Sequence, residues 1–207
     1  MKREASKTRK SKETDITVKL NIDGSGVSKI NSGIGFLDHM LELFAFWGHF
    51  DLQVTTSEAD LKVDIHHTNE DLGIVLGQAF KEALGNKIGI NRIGSMSVPM
   101  EDITASVAVD ISGRGSFKLT IEPSRILPVN NPNPQPQDGY ELKYAEHFFE
   151  AFAKQLGMNL NVRIDNPSQD LHATLEPVFK ALGKALEQAV AIDPRRKGIP
   201  STKGVID

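Results

Sequence analysis

The sequence predicts an α+β fold made of two similar halves. Two observations carry that prediction: strand-like and helical segments follow the same order twice, and long stretches of one half can be laid on the other at constant spacing. Residues 38–54 (DHMLELFAFWGHFDLQV) lie over 146–162 (EHFFEAFAKQLGMNLNV) at an offset of 108, which pairs His39 with His147, Glu42 with Glu150 and Phe44 with Phe152. After a two-residue gap, the stretch from Asp64 (DIHHTNEDLGIVLGQAF) lies over that from Asp170 (DLHATLEPVFKALGKAL), pairing His66 with His172 and Glu70 with Glu176. An internal duplication, at about one hundred residues per half, accounts for both.

The elements follow in order. Residues 1–14 hold six Lys or Arg against two Glu and no large apolar side chain after Met1, the composition of a solvated, mobile arm. The alternation over 15–22 predicts a half-buried strand, closed by the turn Asp23-Gly24. Within 33–47, Ile34, Leu37, Leu41, Phe44 and Ala45 fall at helical spacing. A strand over 50–56 and a helix over 68–84, stopped by Gly85, complete the first half. In the second, strands are expected at 104–111 and 117–121, a Pro-rich loop without regular structure at 130–137 (NNPNPQPQ), a helix at 140–156, a strand at 159–164 and a helix at 171–191. The chain thus divides into a basic arm (1–14), two α+β halves (15–94 and 95–193) and a C-terminal segment (194–207).

Composition bounds the chemistry. A chain of 207 residues buries roughly 70% of its unfolded surface and needs no covalent staples. The absence of Cys excludes disulfides, thiolate metal sites and a Cys nucleophile. A net charge of −3 argues against a broad nucleic-acid-binding surface. No apolar run is long enough to span a membrane and no signal-like segment opens the chain, so the expected address is the cytoplasm.

Five of the six histidines sit in the repeated segments: His39, His147, His66, His172, and His67 beside His66. Helix positions i, i+1 and i+4 fall within an arc of roughly 100°, so His66, His67 and Glu70 share a face. Imidazoles converging with a carboxylate suit a divalent transition metal such as Mn, Fe or Zn. One HHxxE alone also fits an exposed helix start, but its second copy, HATLE, turns the reading toward metal. In that copy the partner of His67 is Ala173. Pseudo-symmetry then suggests a complete site of His39, His67, His172 and Glu176, and a second of His66, Glu70 and His147 that lacks its fourth ligand.

A cationic group accompanies them. Ser201, Thr202, Lys203 and Gly204 offer hydroxyls, an ammonium and close backbone approach, the parts of a phosphate cradle. Arg92 follows Gly-Ile-Asn, Arg114 stands between two expected strands, and Lys180 lies two helical turns beyond His172.

Together SGIGFLDHM (32–40), HHTNED (66–71), GINRIG (89–94), VPM (98–100), DISGR (110–114), EHFF (146–149), FKALGKAL (179–186) and PSTKG (200–204) resemble the imidazoleglycerol-phosphate dehydratase family of histidine biosynthesis, in order from about Lys7 to the C-terminus. The resemblance implies duplicated halves like domain 2 of ribosomal protein S5, each a mainly antiparallel sheet with helices on one face. It also implies a shell of twenty-four subunits with dinuclear Mn²⁺ sites at subunit interfaces. The reaction implied is dehydration of D-erythro-imidazoleglycerol phosphate to imidazoleacetol phosphate. Carried over by position, the metal ligands fall on His39, His66, His67, Glu70, His147, His172 and Glu176. The phosphate-binding groups fall on Arg92, Arg114, Lys180, Ser201 and Lys203; the acid/base carboxylate, which also binds substrate, falls on Glu13, and Glu13, His67 and Glu176 are the implied catalytic residues.

Four features depart from the family pattern. The second motif has Ala173 in place of His, Glu101 and Asp102 are exchanged, the segment before the F-D-L strand reads Trp47-Gly48-His49-Phe50, and the 130–137 loop is richer in proline. The loss at 173 admits an alternative, a non-catalytic paralogue that keeps the oligomeric shell and a weakened metal site. A nucleic-acid module, suggested only by the S5-like fold and the basic arm, finds no support in the net charge.

Overall fold

A computed structural model describes residues 2–62, 64–122 and 134–206. The chain runs β1 (Glu4–Lys10), β2 (Asp15–Asn21), β3 (Ser28–Asn31), α1 (Gly35–Gly48), β4 (Asp51–Glu58), α2 (Ile65–Leu84), then β5 (Ile93–Met100), β6 (Ile103–Asp110), β7 (Ser116–Glu122), α3 (Leu142–Leu156), β8 (Asn159–Asp165), α4 (Leu171–Val190). The order βββαβα thus occurs twice. Each half forms a four-stranded sheet, β1-β2-β4-β3 and β5-β6-β8-β7. In both, two pairings are antiparallel and the last, β3 with β4 or β7 with β8, is parallel.

The arm expected to be mobile is an edge strand. β1 pairs with β2 along its whole length, Lys7 opposite Val18. Its sequence, EASKTRK, gives no alternation of apolar residues because none of its side chains is fully buried and Lys7 and Arg9 pair with Glu82 and Asp71 of α2; charged side chains on such an edge also discourage pairing with other chains. Short β3 and Gly- and Pro-containing β5 escaped the pattern for similar reasons. Helix α2 starts three residues before the expected point, because the Asp64 carboxylate accepts the backbone N–H of His66 and caps it. Of the Pro-rich loop, residues 130–133 lie outside the described residues, while Gln135 and Gln137 form isolated bridges to Asp170 and Tyr140.

Helices α1 and α2 pack on the first sheet, α3 and α4 on the second, and the halves meet through α1 against α4 and α2 against α3. Inner strand residues such as Val18, Leu52, Val107 and Leu160 are buried beneath them. At the junction Phe44 and Phe152, equivalent in the duplication, meet edge to face at 6.2 Å between centroids, as expected near a pseudo-twofold axis. The helices approach closely because small residues line both crossings. A Cβ on Gly183 would lie 2.6 Å from the Phe44 carbonyl oxygen, and one on its counterpart Gly77 would lie 2.8 Å from that of Phe152. These crossings fix which histidines meet: His39 on α1 faces α4, and His147 on α3 faces α2.

Candidate functional site

At the start of α4, Asp170 accepts the His172 N–H at 2.8 Å and sets the helix phase. One turn on, Glu176 Oε2 lies 2.7 Å from His172 Nε2. His39 stacks on His172, with centroids 5.0 Å apart, and its Nε2 is 3.8 Å from the same carboxylate. One ligand atom from each of His39, His172 and Glu176 lies within 4.8 Å of the others, a group able to hold a metal ion. His39 Nε2 is buried and, among the described residues, has no hydrogen-bond partner. An unpartnered imidazole nitrogen aimed at a carboxylate and a second imidazole fits a divalent cation. Burial pushes the Glu176 pKa up, but hydrogen bonds from Lys180 and His172 outweigh it and hold the carboxyl below its ordinary value. Lys180 pairs with Glu176 Oε1 and stands over the Trp47 ring, 5.9 Å from its centroid.

The duplication builds a second cluster. His66 Nε2 lies 3.1 Å from Glu70, and His66 Nδ1 lies 2.8 Å from His147 Nδ1. All three residues expected at the second site therefore touch within one chain, but His66 meets Glu70 and His147 through opposite ring nitrogens, and among the described residues only the first cluster gathers its ligand atoms. The surroundings differ from the first cluster: Ile74 stands where α4 has Lys180, and the Glu70 side chain is 46% exposed against 14% for Glu176.

His67 joins neither cluster. Its Nδ1 lies 3.2 Å from Asp60 and 3.7 Å from Glu13, and the hydrogen bond to Asp60, with Glu13 assisting, raises its pKa. A single chain thus assembles three of the four residues expected at the complete site. Glu13 occupies a turn in which the Ser11 hydroxyl accepts the N–H groups of Glu13 and Thr14. That turn is tied to α2 through Asp71, which accepts the Thr14 hydroxyl at 2.6 Å and Arg9 Nε at 2.7 Å. Asn69, also in the HHTNED segment, donates to the Tyr144 carbonyl and accepts the Tyr140 hydroxyl, whose pKa burial pushes up. Asp71 and Asn69 are anchors that sequence reasoning missed, although both stand inside the motif it singled out.

The cationic residues form a separate cavity of about 210 Å³, lined by Arg92, Ser112, Arg114, Ser201, Thr202 and Lys203. Asp110 grips Arg92 at 2.6 Å and 3.0 Å, which raises the guanidinium pKa, and Arg92 Nη1 donates to the Pro200 carbonyl. Ser112, which the sequence did not suggest, holds the next loop by accepting the Arg114 N–H. Two guanidiniums, an ammonium and three hydroxyls suit a phosphate group. Four of the five expected phosphate-binding residues line this cavity, and Lys180 stands at the first His–Glu cluster instead.

Such a molecule belongs to the class of duplicated α+β proteins that present histidine and carboxylate side chains at helix starts and carry an anion-binding cavity. Residues 32–186 match the family model for imidazoleglycerol-phosphate dehydratase. The chain belongs to that family. It is 46% identical over 209 residues to the imidazoleglycerol-phosphate dehydratase of Pelobacter propionicus, covering all of both chains. It is 48% identical over 204 residues to that of Thermoanaerobacter sp. strain X514, covering 99% of this chain and 100% of the relative. Among solved structures, the Staphylococcus aureus enzyme aligns with a TM-score of 0.76 at 29% identity, over 92% of this chain and 99% of that one. The Pyrococcus furiosus enzyme, solved in complex with (S)-C348, also gives 0.76, at 30% identity over 96% and 99%. Among the described residues no helix is long and apolar enough to cross a membrane.

Proposed function

We propose that this chain dehydrates D-erythro-imidazoleglycerol phosphate to imidazoleacetol phosphate in histidine biosynthesis, acting as a metal-dependent hydro-lyase in the cytoplasm. The activity follows from family membership over the full chain. The metal requirement rests chiefly on one observation, the buried and unpartnered His39 Nε2 facing His172 and Glu176. His39, His172 and Glu176, with His67 from a second copy, would hold one Mn²⁺, and His66, Glu70 and His147 a second. Bound there, the cation supplies Lewis acidity and an anchor for the substrate's imidazole ring.

The chain's own groups do the rest. Arg92, Arg114, Ser201 and Lys203 grip the phosphate, and Lys180 reaches the substrate from beside the first cluster, so that the reacting carbons are held in register. Glu13 removes the carbon-bound proton, the electron pair forms the new double bond, and the hydroxyl leaves as water by taking up the proton that Glu13 returns. The resulting enol becomes the ketone by moving a proton from oxygen to carbon. Because His67 lies beside Glu13 and Asp60 and outside the His39–His172–Glu176 group of its own chain, the catalytic centre is completed between copies, consistent with a shell of twenty-four chains. The test is product formation by purified protein with substrate and Mn²⁺: turnover that disappears on metal stripping and returns on re-addition is expected, and no turnover with metal bound would refute the proposal.

Ala173 favours a second reading, a non-catalytic paralogue with a weakened metal site. Ala173→His discriminates between the two. A large gain in both Mn²⁺ affinity and rate would mark a decayed enzyme, whereas unchanged turnover marks a site adapted to three protein ligands.

A further inference from the structure

We propose that Asp60 is a positioning residue that locks His67 in the one tautomer able to coordinate a metal held by another copy of the chain. The inference deepens the functional reading above and rests on its assignment of His67 as a shared ligand. Neutral imidazole carries one N–H and one lone pair, and the acceptor facing one nitrogen determines which atom keeps the proton. Here both neighbouring carboxylates lie on the same side of the ring: Asp60 Oδ2 is 3.2 Å from Nδ1, and Glu13 Oε2 is 3.7 Å from it. Nδ1–H therefore donates to Asp60, and the Nε2 lone pair is left for coordination. Among the described residues Nε2 has no hydrogen bond, and the side chain is 41% exposed, so it is open to a second molecule. Asp60 is the better placed of the two acids for an orienting role. It is closer, and its side chain is 19% exposed against 55% for Glu13, so it is held more firmly and leaves Glu13 free to work on substrate.

The duplicated half supplies a control. Between β8 and the capping Asp170, residues 166–169 read Asn-Pro-Ser-Gln, with no carboxylate, and the residue equivalent to His67 is Ala173. The Asn166 amide donates to the Asp102 carbonyl, and the Ser168 hydroxyl accepts the Asp170 N–H. The half without the second histidine has no acid to orient one. Carboxylates that orient ligating histidines in this way typically change metal affinity 10–100-fold when removed.

The experiment compares full-length wild type, Asp60→Ala, Asp60→Asn and His67→Ala. The readouts are Mn²⁺ affinity by chelator competition and the His67 tautomer by ¹⁵N NMR of metal-free, histidine-labelled protein. Asp60→Ala is expected to weaken Mn²⁺ binding about 10–100-fold and to move the ring proton from Nδ1 to Nε2. Asp60→Asn, whose amide oxygen still accepts Nδ1–H, is expected to retain the tautomer and most of the affinity, a rescue that a merely structural role would not produce. Wild-type affinity and tautomer in Asp60→Ala, alongside lost affinity in His67→Ala, would overturn the role of Asp60 alone. Wild-type affinity in His67→Ala would overturn the shared-ligand reading and this inference with it.

Discussion

Asp71 illustrates how a motif residue can act without touching the chemistry. Its two oxygens take the Thr14 hydroxyl and the Arg9 guanidinium, so α2 holds the strand and turn that present Glu13. Asp71→Ala removes both acceptors' worth of bonding and leaves two donors to find water, costing about 1–3 kcal/mol of local stability. The expected result is fast amide exchange confined to β1 and a fall in kcat with Mn²⁺ content unchanged; uniform exchange across the chain would contradict the anchoring role. Asp51 makes a pH-dependent counterpart. Its carboxylate accepts the N–H groups of Ser25 and Val27, and the Ser25 N–H is the chief cause of its lowered pKa. A depressed folded pKa stabilises the fold above the unfolded value near ~3.9 and ceases to do so as pH falls through the folded value. Asp51→Ala is therefore expected to lose about 1 kcal/mol in urea unfolding at pH ~6, and the gap to wild type should narrow as pH falls below ~3.9. A gap independent of pH would remove the carboxylate from the explanation.

At the scale of elements, the helix crossings bring the histidines together, and two glycines set the crossings. Gly183→Ala would force its Cβ against the Phe44 carbonyl oxygen, and Gly77→Ala against that of Phe152. The helix-propensity gain of Ala over Gly, about 1 kcal/mol, opposes an overpacking cost of about 1–3 kcal/mol. We expect a net loss of stability and, for Gly183→Ala, weaker binding at the His39–His172–Glu176 cluster, read by thermal unfolding and Mn²⁺ competition. Unchanged Mn²⁺ affinity would mean the crossing does not set the ligand geometry. The four helices were legible in the sequence because each buries one face over many turns, so Leu37, Leu41 and Phe44 declare their spacing. β1 was not, because this edge strand meets α2 through Lys7 and Arg9, paired with Glu82 and Asp71, where a central strand would carry Val or Ile. Within the site, the two His–Glu clusters were legible from the repeat. Asp60 and Ser112 were not, because their roles depend on loops whose path local patterning does not encode.

For the whole molecule, the buried core runs through both halves and does not include the clustered histidines. Removing metal should therefore leave the fold while weakening assembly, since a ligand that binds only the associated state stabilises it by mass action. The three-ligand His66–Glu70–His147 site should empty first. Chelator titration is expected to release metal in two steps, with particle mass falling only in the second and far-UV circular dichroism held throughout. Lowering the pH through the range near ~6 should act in the same direction, because histidine and carboxylate ligands release metal as they protonate. A single step that removes all metal and all assembly together would contradict the inequality of the sites.

That the catalytic centre is shared between copies is the claim on which these expectations converge, since His67 lies beside Glu13 and does not join the His39–His172–Glu176 group of its own chain. Subunit mixing tests it most directly. His67→Ala and His172→Ala should each be inactive alone. After metal-free dissociation, mixing in equal amounts and Mn²⁺ reassembly, the account predicts recovery of up to roughly a quarter of wild-type turnover, from interfaces where one variant supplies His67 and the other supplies His172. Mixed particles no more active than either variant alone would contradict it.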